Sequence, residues 1–100
     1  MALFNKRKRD KYDIYHDILK VCKNSISGIN KTRLMYSANL TFEVANKYLP
    51  LLENNGLIIR KGNLYFITKK GDEVLEKLTK FKEMKGEMKE LINKLKEELH

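Results

Sequence analysis

The sequence predicts a mainly helical protein with one small β-hairpin and a long C-terminal helix. Three observations support this fold class. Apolar residues recur at helical spacing along most of the chain. Two short runs of β-branched and aromatic residues flank a turn that contains glycine. From residue 72 onward, apolar residues alternate at spacings of four and three, as they do in a coiled coil. A length of 100 residues fits one domain.

Three helices are expected before the hairpin. The first covers residues 10–24 and places Cys22 on its apolar face, so this cysteine is expected in the core. Residues 25–28 interrupt the pattern. The second helix covers residues 30–37 and the third residues 41–54, with Asn30 and Thr41 as favourable N-caps.

The third helix has one apolar side and one polar side. We expect its apolar stripe to be buried, and the stripe comprises Phe42, Ala45, Leu49 and Leu52, broadened by Val44, Tyr48 and Leu51. The opposite arc carries polar side chains that are free to meet a partner. Pro50 lies on that arc and is expected to kink or loosen the helix near Asn46, because proline removes one intrahelical hydrogen bond.

A two-stranded hairpin follows this helix directly. Its strands are expected at residues 57–60 and 64–68, joined by the tight turn 61–63. Three helices, a hairpin and a further helix follow one another in the order of a winged helix-turn-helix. In that architecture the third helix enters the major groove of DNA and the hairpin contacts the DNA backbone or minor groove. Other winged helices bind proteins, so the order of elements alone leaves both functions open.

The last helix is expected to run from residue 72 to about residue 99 and to be about 42 Å long. Seven of the eight positions at four-three spacing are apolar, and Lys85 is the exception. A head of about 70 residues cannot cover such a helix, so a second copy of the chain is expected to pack on it. The predicted dimerisation residues are Val74, Leu78, Phe81, Met84, Met88, Leu91, Ile92, Leu95 and Leu99.

Positive charge is concentrated in the first part of the chain. Residues 1–71 hold 14 Lys and Arg against 5 Asp and Glu, whereas residues 72–100 hold 7 Lys against 8 acidic residues. A net charge of +9 on the head indicates a polyanion as partner, and we expect double-stranded DNA. The predicted organisation is a disordered basic arm over 1–9, a winged-helix domain over 10–71 and a dimerisation helix over 72–100.

Cationic and amide side chains of the head are the candidates for DNA contact. Lysine and arginine neutralise phosphates and release counterions, whereas base readout needs hydrogen bonds to base edges. Asn46 is the one good candidate for base readout, so strong sequence preference is not expected. The predicted DNA-binding residues are Lys31, Arg33, Asn46, Lys47, Arg60, Lys61, Lys69 and Lys70, with Lys6, Arg7, Lys8 and Arg9 of the arm as an auxiliary clamp.

Catalysis and metal binding find little support in the sequence. His16, Cys22 and His100 do not follow any known metal-ligand spacing, and no glycine-rich phosphate loop or nucleophile motif occurs. We expect no enzyme activity, no cofactor, no small-molecule substrate and no membrane span. A single cysteine and an N-terminus unlike a secretory signal lead us to expect a cytoplasmic, nucleoid-associated protein.

Three segments resemble a known family. Residues 31–40, with the sequence KTRLMYSANL, are similar to the second-helix signature of the small archaeal chromatin-type winged-helix proteins, the crenarchaeal ten-kilodalton DNA-binding family. Residues 67–71 (ITKKG), followed by Val74, Leu75, Phe81 and Met84, resemble its junction between wing and long helix, and residues 18–23 resemble its first helix. The resemblance covers about residues 11–90. It implies a homodimer joined by an antiparallel coiled coil, with a head at each end, that binds duplex DNA with little sequence preference.

Two alternatives remain open from the sequence. The same scaffold serves sequence-specific transcription regulators. A regulator of this kind would stay bound to its operator in the presence of excess unrelated DNA. A winged helix that mediates protein interactions would not bind random duplex DNA at about 100 mM salt.

Overall fold

The computed structural model describes residues 9–99, and its elements follow the expected order with one addition. This confirms the predicted fold class of a winged helix-turn-helix with a long C-terminal helix. The elements are α1 (Lys11–Lys23), β1 (Ile29–Asn30), α2 (Lys31–Ser37), α3 (Phe42–Asn54), β2 (Ile58–Lys61), β3 (Leu64–Ile67) and α4 (Lys69–Leu99).

Polar side chains cap the first three helices. The Asp10 carboxylate accepts a hydrogen bond from the Asp13 backbone N–H at 2.9 Å, and the Asp13 carboxylate accepts one from the Asp10 N–H in return. Asn30 Oδ1 accepts from the N–H of Arg33, and Thr41 Oγ1 accepts from that of Val44. Asn30 and Thr41 are therefore confirmed as N-caps, and each satisfies a backbone donor that its helix leaves unpaired.

A small antiparallel sheet has the strand order β1-β3-β2 within the described residues. Strands β2 and β3 form the predicted hairpin, with Ile58 opposite Ile67 and Lys61 opposite Leu64. Gly62, in the turn between them, has a φ of 63°, a conformation that favours glycine. Strand β1 was not predicted from the sequence. It pairs Ile29 with Tyr65 and so joins the hairpin to the segment that leads into α2.

The core lies where α1, α2, α3 and the sheet meet. Its largest fully buried side chains are Ile18, Leu19, Leu34, Leu49, Leu52, Ile58 and Cys22. The predicted core position of Cys22 is confirmed, and burial raises the pKa of its thiol to about 12. The head of the molecule is thus held by side chains that each element contributes from its apolar side.

The predicted α3 stripe is wrong at two of its residues. Ala45, Leu49 and Leu52 are buried, but Phe42 is 62% exposed and Leu51 is 37% exposed. Helical spacing shows which residues share one face of a helix. A residue on that face is buried only where a neighbouring element packs against it. The helix also continues through Pro50 to Asn54 without interruption.

Helix α4 packs on the head as far as Lys85, and its later turns are exposed. It begins at Lys69, three residues before the expected start, and Leu75 and Leu78 are buried against the head. At about 1.5 Å per residue its 31 residues extend about 46 Å. Further along the helix, large apolar side chains are exposed: Phe81, Met84, Met88, Leu91, Ile92, Leu95 and Leu99. In residues 9–99, no helix combines the length and hydropathy that a bilayer span requires.

Candidate nucleic-acid interface

The outer side of α3 presents the polar arc that the sequence predicted. Glu43, Asn46, Lys47 and Pro50 are all exposed. The Lys47 ammonium lies 5.3 Å from the centroid of the Tyr48 ring on the same helix. Because α3 is the third helix of a winged helix-turn-helix, this arc is the surface that corresponds to a DNA-recognition helix.

A contact between α2 and α3 joins two of the predicted DNA-binding residues. Lys31 Nζ donates a hydrogen bond to Asn46 Oδ1. The same ammonium lies 4.6 Å from the centroid of the Phe42 ring, within the range of a cation–π interaction. We call Lys31, Phe42 and Asn46 the α2–α3 corner. It holds a cation, an exposed aromatic ring and an amide side by side at the start of the third helix.

An open cleft of about 440 Å³ lies between α2 and the hairpin. Three predicted cations, Lys31, Arg33 and Arg60, line it, and the Arg60 guanidinium lies 5.9 Å from the centroid of the Tyr65 ring. We call this feature the wing cleft, and its lining residues are Asn30, Lys31, Thr32, Arg33, Arg60, Asn63 and Tyr65. Three cations with hydroxyl and amide neighbours suit an anion such as a backbone phosphate.

The remaining predicted cations lie outside the wing cleft. Lys61 Nζ is 5.7 Å from the centroid of the Phe66 ring on the hairpin. Lys70 Nζ donates a hydrogen bond to the Asn55 carbonyl at 3.0 Å and so ties the start of α4 to the end of α3. Lys69 is exposed beside it. The structure therefore gives Lys70 a contact within the head that its charge alone did not indicate.

Arg9 belongs to the folded head, which corrects its assignment to a disordered arm. Its guanidinium lies 2.9 Å from the Asp17 carboxylate, donates to the Ala38 carbonyl at 2.8 Å, and donates also to that of Asn39. Guanidinium suits this position because it offers several donors to the carbonyl groups that the end of α2 leaves unpaired. Lys6, Arg7 and Lys8, the rest of the predicted clamp, lie outside the described residues.

Asp17 is partly buried beside Arg9 and His16. Burial alone would raise the pKa of its carboxyl group, but hydrogen bonds from His16 and Arg9 outweigh burial and hold the pKa below its ordinary value. The His16 Nδ1 atom lies 3.1 Å from the second carboxylate oxygen. Arg9 is thus neutralised by a carboxylate, and its role in the head is to connect α1 with the end of α2.

Sequence reasoning did not single out Thr32 and Asn63 of the wing cleft as site residues, and it placed Phe42 in the core. Thr32 lies between two predicted cations, and Asn63 lies in the predicted turn of the hairpin. Their nearness in sequence to predicted DNA-binding residues is the signal that could have identified them. Among residues 9–99, no group of three or more histidine, cysteine or acidic side chains is arranged to hold a metal ion.

Comparison with known proteins places this architecture in a family. A family model described as "Winged helix-turn-helix" matches residues 8–86. The chain belongs to the winged helix-turn-helix family. Two uncharacterised proteins of Methanocaldococcus jannaschii resemble it: MJ0290 is 39% identical over 71 residues, and MJ0287 is 31% identical over 71 residues. These matches cover 71% of this chain, but 33% of MJ0290 and 71% of MJ0287, so the chain spans about a third of the length of MJ0290.

A solved structure has a similar architecture over most of the chain. It is that of Sso10a-2, a DNA-binding protein from Sulfolobus solfataricus, which superposes with a TM-score of 0.79 at 28% sequence identity. The match covers 92% of this chain and 98% of Sso10a-2. The resemblance to small archaeal winged-helix proteins, first indicated by residues 31–40 and 67–71, is confirmed.

Proposed function

We propose that this chain is a dimeric protein that binds double-stranded DNA with little sequence preference and serves as an architectural component of archaeal chromatin. The observation that carries the proposal is that Lys31, Arg33 and Arg60 line the wing cleft, and that Lys31 also contacts Asn46 on the exposed arc of α3. Because helix-turn-helix proteins place this helix in the major groove beside the DNA backbone, we expect a backbone phosphate to lie at this cleft. The similarity to Sso10a-2, described as a DNA-binding protein, supports the same partner.

Low sequence preference follows from how few groups are available to read bases. Asn46 is the best candidate for this, and a side-chain amide reads adenine by accepting one hydrogen bond and donating another. Its acceptor, Oδ1, already receives a hydrogen bond from Lys31. The other predicted contacts are cations, which bind phosphates of any sequence. Affinity would therefore arise chiefly from the backbone of the duplex.

Dimerisation is proposed because the apolar side of α4 continues far beyond the head. The head buries Leu75 and Leu78, while Ile92 and Leu95 are 45% and 46% exposed about 20 Å further along the helix. A repeat of apolar residues at alternate spacings of four and three is the pattern that a second helix covers. The antiparallel arrangement, with a head at each end, is what the family resemblance implies. Such a dimer presents two DNA-binding surfaces and would bridge or coat duplexes.

A salt titration of binding to a random-sequence duplex tests the proposal. For the wild type we expect the logarithm of the affinity to fall linearly with the logarithm of salt concentration. The triple variant Arg33→Glu, Lys47→Glu, Arg60→Glu should bind weakly, with a slope reduced by about one for each phosphate that is no longer neutralised. The matched control is Lys80→Glu, Lys89→Glu, Lys94→Glu, which changes the net charge equally at exposed positions on α4.

Two results would contradict the proposal. Equal loss of binding in both triple variants would mean that net charge, and not this surface, determines affinity. No binding by the wild type even in dilute buffer would favour a protein-interaction role for the winged helix. Competition then separates the two DNA-binding functions. Excess unrelated duplex should remove the protein from any labelled site, whereas a sequence-specific regulator would retain its operator.

A further inference from the structure

Phe42 is an exposed aromatic residue on the surface that would face DNA. It is the first residue of α3, directly after the Thr41 N-cap, and 62% of it is exposed. Most of the apolar surface of Phe42 is therefore left uncovered by residues 9–99. Residues in the first turn of a recognition helix are the ones that reach base edges in helix-turn-helix proteins.

Polar and cationic groups surround this ring. Asn46 lies one turn further along α3, and residues four apart share one face of a helix. Lys31 Nζ contacts both the Phe42 ring and Asn46 Oδ1. The ring is thus held beside a cation and an amide. A ring, a cation and an amide in this arrangement match a surface that presents an apolar group close to hydrogen-bond acceptors and phosphates.

The major groove of DNA provides such a surface at thymine. Among the four bases, thymine alone presents an apolar group there, its C5-methyl group, and aromatic and small apolar side chains contact it. We propose that Phe42 packs against thymine C5-methyl groups in the major groove. Phe42 then gives the head a modest preference for thymine-containing sites without hydrogen-bond readout. This inference rests on the proposed function, because it requires the α3 surface to bind duplex DNA.

The size of the preference follows from the area that one methyl group removes from water. Burial of a methyl or methylene group corresponds to about a fourfold change in affinity. An effect of this size biases the distribution of a protein along a chromosome, but it does not define an operator. It is therefore compatible with a protein whose affinity comes chiefly from phosphates.

Replacement of thymine by deoxyuridine isolates this contact. Deoxyuridine pairs like thymine but lacks the C5-methyl group. Wild-type protein should bind a thymine duplex about fourfold more tightly than the same duplex built with deoxyuridine, as measured by fluorescence anisotropy. Phe42→Ala should bind the two duplexes equally and keep the wild-type salt slope, because its phosphate contacts are intact. In a duplex of G·C pairs, 5-methylcytosine should restore tighter binding by the wild type, because it carries a methyl group at the same ring position.

A second exposed apolar residue provides the control. Ile26 is 90% exposed in the loop between α1 and β1, outside the α2–α3 corner. Ile26→Ala should keep the preference for thymine. Equal binding of the two duplexes by the wild type would overturn this inference and leave the proposed function intact. An undiminished preference in Phe42→Ala would also overturn it. Failure of the wild type to bind either duplex would instead overturn the proposed function.

Discussion

Lys85 Nζ lies 2.9 Å from Asp10 Oδ2, and this ion pair ties the long helix to the start of the head. Lys85 occupies the one polar position of the four-three repeat in α4, and Asp10 is the N-cap of α1. The same ammonium lies 3.9 Å from Asp13 Oδ1 and 5.2 Å from the centroid of the Phe81 ring. We call the four-three repeat of α4 its seam. Lys85 thus has a structural partner in its own chain, at the point where α4 leaves the head.

The ion pair between Asp10 and Lys85 should contribute to stability in a pH-dependent manner. The hydrogen bond from Lys85 lowers the pKa of the Asp10 carboxyl below its ordinary value of 3.8. A group with a lowered pKa in the folded state stabilises the fold above its ordinary pKa, and this contribution is lost as the pH falls through the folded-state pKa. In a double-mutant cycle with Asp10→Asn and Lys85→Met, urea unfolding at pH 7 should give a coupling of about 0.2–1 kcal/mol.

The same cycle in acid is the control. Well below pH 3.8 the carboxyl group is protonated, and the coupling should approach zero. Asparagine is as good an N-cap as aspartate, so Asp10→Asn retains the cap while it removes the charge. A coupling of the same size in acid would show that the two side chains interact through packing and not through charge.

The order of the helices and the starts of α2 and α3 were predictable because they depend on local signals. Asn30 and Thr41 cap the helices that follow them, and the turn at Gly62 joins the two strands of the hairpin. Strand β1 was missed because two residues are too few to show alternation. It exists because Ile29 pairs with Tyr65, and a pairing over that separation in sequence is set by the tertiary fold.

The site was predictable in composition but not in arrangement. Charge identified Lys31, Arg33 and Arg60, yet only the fold brings residues of α2 and β2 to one cleft. The sequence places Arg9 in the arm because it continues the basic run over residues 6–9. Its partner at Ala38 is 29 residues away and leaves no local signal. The sequence predicts Phe42 in the core because this residue fits the helical spacing of the α3 stripe. Spacing does not show where the neighbouring elements end, and Phe42 is exposed.

The seam of α4 predicts how dimerisation should respond to charge. Replacement of Ile92 and Leu95 together by glutamate would place unpaired charges between two helices, which is strongly unfavourable. Multi-angle light scattering should show a dimer for the wild type and a monomer for this variant. Lys94→Glu, on the same stretch but away from the apolar stripe, should remain a dimer. A persistent dimer in the double variant would refute the seam as the contact.

Two glycines of α4 should respond in opposite ways to alanine. Among residues 9–99, a Cβ at Gly86 would meet no atom within 4 Å apart from its own helix backbone, so Gly86→Ala should stabilise the protein by about 0.5–1 kcal/mol through better helix propensity. A Cβ at Gly71 would lie 2.0 Å from the Leu57 carbonyl oxygen and 2.9 Å from Ile67 Cγ1. Because a backbone atom must then move, Gly71→Ala should destabilise the protein by about 1–3 kcal/mol.

Urea denaturation at one fixed protein concentration measures both effects, since self-association makes apparent stability depend on concentration. Stabilisation by Gly71→Ala would contradict the close packing of α4 against the residue that precedes β2. Destabilisation by Gly86→Ala would mean that another surface approaches the helix at that glycine, and the dimer seam would then have to include it.

Cys22 should be chemically inert in the folded protein. Its side chain is buried, and burial raises the pKa of the thiol to about 12 from an ordinary value of 9.0. At pH 8 the folded protein should therefore hold far less thiolate than an unfolded chain, and thiolate is the species that reacts. Iodoacetamide labelling followed by mass spectrometry should be slow in buffer and fast in concentrated urea.

The dependence of that labelling on urea distinguishes burial from an intrinsically unreactive thiol. If the core protects Cys22, the labelling rate should rise with urea in proportion to the unfolded fraction measured by circular dichroism. The raised pKa also sets a sign for stability, because the folded state retains its proton above pH 9 while the unfolded state loses it. The contribution of Cys22 to stability should therefore be full below pH 9 and decline above it. Rapid labelling in buffer would show that the packing of α1 against the sheet opens far more often than its burial implies.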